Sequence, residues 1–151
     1  MKGCIFLFQG DSSSAQNQFQ MSLKINQDHE LARKMLTSIE KTESFKTKGN
    51  DAIKAKKFQE AKKHYTDAIE VNKINKKLNA ILYSNRALAN MRMNLNKEAV
   101  ADCDKSIELD DKYTKSYIRR AEVRLKLEEF NEAVSDYWKI KEIDPSTSHE
   151  M

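Results

Sequence analysis

One spacing recurs four times along the 151 residues and constrains the fold more than any other feature. Gly49, Ala61 and Tyr65 stand at steps of 12 and 4. Ala87, Ala99 and Cys103 repeat those steps, as do Ala121, Ala133 and Tyr137, and Gly3, Ala15 and Phe19. The first two positions are always small; the third is aromatic three times and Cys once. A fixed period of this size marks a chain built from stacked copies of one supersecondary unit. Ala99 and Ala133 lie 34 residues apart, whereas Ala61 and Ala99 lie 38 apart, which places four extra residues within 72–79. Ala15 and Ala61 lie 46 apart, which places twelve extra residues in the polar stretch 28–43, read as an extended helix or linker.

The repeating unit is helical. Phe58, Ala61, Tyr65, Ala68 and Ile69 share one face of a 3.6-residue period, and so do Phe130, Ala133, Val134, Tyr137, Ile140 and Ile143. Only 3 Gly and 1 Pro occur in the whole chain, too few for a sandwich, a barrel or another fold with many tight turns. Charged residues at 33% beside 39% hydrophobic ones suit a modest core under a polar exterior. An ordinary antiparallel bundle with accidental spacing is the alternative, and four copies of one frame count against it.

The period and frame resemble the tetratricopeptide repeat (TPR), a helix–turn–helix unit of about 34 residues. Pro145, after Ile143 and Asp144, matches the terminal Pro of the repeat pattern. Phe45, Tyr83 and Tyr117 stand where Trp is usual, volume-tolerant exchanges. The resemblance implies an all-α fold, a right-handed superhelix of antiparallel helix pairs with a concave binding face. It divides the chain into a truncated unit at 1–27, the 28–43 stretch, a three-repeat domain at 44–147 and a tail at 148–151. Asp110 and Asp111 fit the N-cap and first turn of a following helix. With no capping helix after Pro145, the last helix is expected to leave parts of Tyr137, Trp138 and Ile140 exposed, a route to weak self-association.

Several functions are disfavoured by what the chain lacks. Cys4 and Cys103 form no metal spacing and fit a reducing compartment. His29, His64 and His149 are scattered and read as solvated. No nucleophile–base–acid pattern or phosphate loop occurs, so neither an enzyme nor a cofactor is expected. The apolar run before Gln9 is shorter than the roughly 7–15 residues of a signal h-region. No stretch approaches the roughly 20 apolar residues that span a bilayer. A cytoplasmic protein is expected. The net charge of +4, without aromatics interleaved on a basic face, argues against nucleic acid.

The basic residues carry the positive signal. Lys46 and Asn50 are spaced i, i+4, as are Lys115 and Arg119, and Asn85 sits mid-helix where its propensity is poor. A like-charged pair at i, i+4 costs a helix a few tenths of a kcal/mol, roughly, so the Lys115–Arg119 placement is not bland. All five side chains donate hydrogen bonds and three are cationic, which suits a ligand with two adjacent carboxylates, such as an acidic C-terminal residue. Lys46-x-x-Gly49-Asn50, Tyr83-Ser84-Asn85-Arg86-Ala87 and Lys115-x-x-x-Arg119-Arg120-Ala121 are similar to the carboxylate clamp of TPR co-chaperones. That resemblance implies that Lys46, Asn50, Asn85, Lys115 and Arg119 bind the Glu-Glu-Val-Asp tails of cytosolic 70- and 90-kilodalton heat-shock chaperones.

Ile53, Lys54, Leu88, Met91 and Arg92 follow the clamp positions by one or two turns and are candidates to line the same groove. Glu122 would repel an acidic peptide unless paired with an Arg, and so is a candidate to tune selectivity. For Ile53, Leu88 and Met91 a core position is an equal alternative. Within the family, the extra residues before Leu82, the Ala101-Asp102-Cys103 segment and the 109–113 junction resemble the second TPR cluster of DnaJ-type co-chaperones. A structural scaffold that assembles through helix faces remains the competing reading.

Overall fold

The structure, a computed structural model, describes residues 12–25 and 30–147. These form seven helices: α1 (Ser12–Ile25), α2 (Glu30–Lys54), α3 (Phe58–Val71), α4 (Lys76–Arg92), α5 (Asn96–Leu109), α6 (Thr114–Lys126) and α7 (Phe130–Ile143). Each helix packs on its neighbours in the chain, and α4 also touches α6. The long-range packing is therefore between consecutive units, as expected of a repeat stack.

The small-and-aromatic frame is the core. Ala15, Phe19, Ala61, Tyr65, Ala87, Ala99, Cys103, Ala121 and Ala133 are all at most 1% exposed. Gly49 is buried against Tyr65: a methyl built on it would lie 2.5 Å from Cε1 and 2.8 Å from Cδ1. Ring and backbone thus meet with no room for a Cβ between them. Burial pushes the Cys103 thiol up to about 12. The one frame aromatic left half-exposed is Tyr137, on α7, which has no helix packed beyond it among the described residues. Gly3 and Cys4 lie outside the described residues, as do His29, His149 and the whole of the 148–151 tail.

Residues 30–43 are helical and run without a break into 44–54, so the boundary drawn at 43/44 falls inside α2. Glu30 in the first turn and Lys54 in the last complement the helix dipole. The three turns inside the helix pairs share one device. Lys56 (φ 59°), Asn94 (φ 60°) and Glu128 (φ 62°) are left-handed, at the same place in successive units. The junction carrying the extra residues is tied by asparagines. Asn72 Nδ2 donates to the Asn75 carbonyl and to Asn79 Oδ1, each at 2.9 Å, and Asn79 Nδ2 returns a bond to the Asn72 carbonyl. Asn75 Oδ1 caps α4 by accepting from the Leu78 amide at 3.0 Å.

Three expectations need correction. Asp110 and Asp111 do not cap α6, whose N-cap is Tyr113. Asp110 instead closes a local turn, its carboxylate accepting from the Lys112 amide at 3.1 Å, and the Asp111 carbonyl accepts from Tyr117 Oη at 2.9 Å. Ile140 is 1% exposed and belongs to the core, whereas Trp138 is 60% exposed. The exposed stripe on α7 is Phe130, Val134 and Trp138, at i, i+4 and i+8. His64 is not solvated throughout: its Nδ1 is shut away from solvent with no hydrogen-bond partner.

Candidate peptide-binding site

The ion pairs show which cations are already committed to structure. Arg86 on α4 donates from Nε and Nη2 to Asp102 on α5 at 2.9 and 2.6 Å, and Asn90 donates to the same carboxylate at 2.9 Å. One unit later, Arg120 on α6 donates from Nε to Asp136 on α7 at 3.0 Å, and from Nη1 to Asp104 at 2.6 Å. Arg124 adds a bond to Asp136 at 2.7 Å. Asp102 and Asp136 are nearly buried, so these are desolvated pairs that tie each leading helix to its trailing one. Arg86 and Arg120 also lie over the rings of Tyr83 and Tyr117, at 5.1 and 5.5 Å. The sequence reading missed this ladder, although its signal is present as Arg-Ala pairs 34 residues apart.

Arg119 is different. Its Nη1 donates to Ser84 Oγ at 2.7 Å and to Asn85 Oδ1 at 3.2 Å, both neutral oxygens on α4. Among the described residues it has no carboxylate within ion-pair distance, and neither has Lys115, which is exposed one turn earlier on the same face. On the neighbouring helix pair, Tyr65 Oη donates to Asn50 Oδ1 at 2.7 Å. Because that oxygen is occupied as an acceptor, the Asn50 amide NH2 remains a donor. Burial pushes the Tyr65 hydroxyl up to about 12, with the Arg119 charge pulling the other way. Arg119 therefore sits electrostatically close to the Tyr65–Asn50 pair.

The structure thus joins Asn50 to Tyr65 across α2 and α3, and Asn85 to Arg119 across α4 and α6, with the Arg119 charge acting on the Tyr65 hydroxyl. Lys46 lies one turn before Asn50, as Lys115 does before Arg119. Lys46 is half-buried and already paired: its Nζ is 2.6 Å from Glu43 Oε2. Of the outer candidates, Lys54, Arg92 and Glu122 are exposed, and Ile53 and Leu88 are half-buried. Ile53 packs on the core around Ala52 and Tyr65. Met91 belongs to the core outright: it is 7% exposed and packs with Ala99 and Val123. Of the two positions the sequence left open for Met91, groove and core, the structure has the core, because α4 is packed against α3, α5 and α6 and has few open positions.

The described chain is a stack of two-helix repeats whose leading helices gather amides and uncommitted cations. It belongs to the tetratricopeptide repeat family. The sequence pattern described as "Tetratricopeptide repeat" matches residues 80–113. The chain is 34% identical over 145 residues to the DnaJ homolog subfamily C member 7 homolog of Dictyostelium discoideum, covering 96% of this chain and 27% of that one. It thus spans about a quarter of that relative's length. Among solved structures, it is similar to the first TPR of Spaghetti (RPAP3) bound to HSP90 peptide SRMEEVD. That match has a TM-score of 0.66 and 33% identity over 72% of this chain and 85% of that one. It is also similar to the second TPR domain of human RPAP3 in complex with HSP70 peptide SGPTIEEVD. There the TM-score is 0.66, with 32% identity over 74% of this chain and 89% of that one. No helix among the described residues is long and apolar enough to cross a membrane.

Proposed function

We propose that this domain is a non-catalytic adaptor that captures the acidic Glu-Glu-Val-Asp tails of 70- and 90-kilodalton heat-shock chaperones. Lys46, Asn50, Asn85, Lys115 and Arg119 form its carboxylate clamp. The observation that carries the reading is Arg119. Three other arginines of α4 and α6 are neutralised by Asp102 or Asp136, whereas Arg119 is held in place by Ser84 and Asn85 and keeps its charge available. A guanidinium anchored by neutral oxygens beside two amides and an unpaired Lys115 is suited to a terminal residue with a main-chain and a side-chain carboxylate. The Glu-Glu-Val-Asp peptides in the two RPAP3 complexes support the same ligand. Lys54, Leu88 and Arg92 line the approach for residues upstream of the terminal one, and Glu122 acts on their charge. The likeness to the DnaJ-type relative supports a place in a longer cytosolic co-chaperone.

The test is calorimetric titration with a peptide ending in Glu-Glu-Val-Asp, against the same peptide amidated at its C-terminus. Binding is expected for the free acid alone, and it should weaken with salt. Lys115→Ala or Arg119→Ala should each weaken it about tenfold or more, about 1.4 kcal/mol. Equal affinity for acid and amide would refute terminal-carboxylate capture. A second reading, self-association, is favoured by the stripe of Phe130 (59% exposed), Val134 (42%) and Trp138 (60%) on α7. Sedimentation at rising concentration tests it: mass should grow for the native chain and stay monomeric for Trp138→Glu.

A further inference from the structure

The proposed clamp contains three cations, and only two of them are free. Lys46 is bonded to Glu43, one turn earlier on α2, at 2.6 Å. The two side chains are 26% and 31% exposed, so the pair is partly withdrawn from solvent and is screened less than a surface pair. Glu43 is anchored on the same face of the same helix, and no rearrangement of the fold is needed to keep it beside the ammonium. A peptide carboxylate arriving at Lys46 meets a cation whose field is already partly cancelled, and a fixed negative charge behind it.

We propose that Glu43 is an intramolecular competitor at the clamp that lowers the affinity for acidic tails by holding Lys46. This rests on the peptide-binding reading above. Its consequence is unequal weight among the three cations: Lys115 and Arg119 supply most of the anion attraction, and Lys46 supplies less than its position suggests. A ligand gains at Lys46 only by sharing the ammonium with Glu43. A tail with the doubly charged terminal residue gains most at Lys115 and Arg119.

The test uses the whole chain and a free-acid peptide ending in Glu-Glu-Val-Asp, titrated against the native protein and five variants. Glu43→Gln should bind about two- to fivefold more tightly, the range expected of a partly exposed ion pair. The gain should vanish when Glu43→Gln is made in a Lys46→Met background and compared with Lys46→Met alone, because no ammonium remains to be released. Glu40→Gln, an equal change of net charge at an exposed site on α2, should leave affinity unchanged. Lys115→Ala reports on the clamp itself. Weaker binding by Glu43→Gln overturns the proposal, because Glu43 would then be positioning Lys46. Equal gains from Glu40→Gln and Glu43→Gln, or a gain that survives Lys46→Met, overturn it in favour of a general charge effect. In those cases a weakened Lys115→Ala still upholds the clamp. An unaffected Lys115→Ala overturns both readings together.

Discussion

Gly49→Ala separates helix propensity from packing, because the two predict opposite signs. Gly49 lies inside α2, where replacing Gly by Ala should by propensity stabilise the domain by about 0.8–1 kcal/mol. The added methyl, however, would lie 2.5, 2.8 and 2.9 Å from Cε1, Cδ1 and Cζ of Tyr65. That ring is 1% exposed and is tethered at its far end to Asn50, so it has nowhere to swing. Overpacking of this kind costs about 1–3 kcal/mol. Displacing the ring also strains or breaks the Tyr65–Asn50 bond, about 1 kcal/mol more. The net expectation is a loss of about 1–3 kcal/mol, read as a lower urea midpoint at unchanged slope. In a Tyr65→Leu background the obstruction is gone, and the same Gly49→Ala change should become neutral or stabilising. A Gly49→Ala protein at least as stable as the native one would refute the close-contact argument. Affinity for the acidic peptide should fall in Gly49→Ala as well, since Asn50 loses the hydroxyl that orients it.

Three further outcomes are expected. Lys56→Gly and Glu128→Gly should each stabilise by about 0.5–1 kcal/mol in chemical denaturation, because both residues hold a left-handed backbone that costs a side chain and not a glycine. Asp136→Ala should cost about 2–4 kcal/mol by leaving Arg120 and Arg124 without their shared carboxylate, while Asp104→Ala, at an exposed end of the same network, should cost under about 1 kcal/mol. The hydroxyl of Tyr65 is held up to about 12 in the folded state against an ordinary value of 10.0, so its neutral form favours folding. That contribution is intact below pH 10 and is lost as pH rises towards 12, where the unfolded chain ionises first. Cys103, up to about 12 from 9.0, acts in the same direction. Denaturation midpoints should fall through this window, and less steeply in Tyr65→Phe.

What could be read from the residues and what could not divide along a physical line. The helices and their pairing were legible because the Gly49–Ala61–Tyr65 frame is a local periodic signal. Close helix approach demands small residues at fixed steps, and the same steps recur in later units. Asn50, Asn85 and Arg119 stood out in the sequence because the two Asn are poor helix choices and Arg119 repeats the charge of Lys115 one turn away, and the structure gives Asn85 and Arg119 a shared bond. Met91 was left open between groove and core because a position on a helix does not say what covers it, and α6 covers this one. The caps were misread at Asp110 because an Asx turn and an N-cap use the same residue types, and only the register of α6 distinguishes them. Glu43 escaped notice since donors were sought for an acidic ligand, and the acid that already occupies one of them lies outside that search. The Asn72–Asn75–Asn79 tie depends on side chains meeting across a turn, which spacing alone does not reveal.

The arginine ladder bears on how such a chain can change its length. Arg86 meets Asp102 and Arg120 meets Asp136, each partner 16 residues on and each pair offset from the other by 34. Both of these buried pairs close inside their own unit, and the bonds that reach back to the preceding unit, from Arg120 to Asp104 and from Arg86 to Thr66, are made by the same two arginines. A tandem duplication of one 34-residue unit after Arg119 would therefore carry a complete ladder step with it. It would add an inner face without stranding a buried aspartate. The junction at 72–79 has no such freedom, because its asparagines bond one another and a single insertion there would orphan Asn75. The architecture is modular on one side of that knot and fixed at it, so growth or loss of repeats is tolerated towards the C-terminal units first.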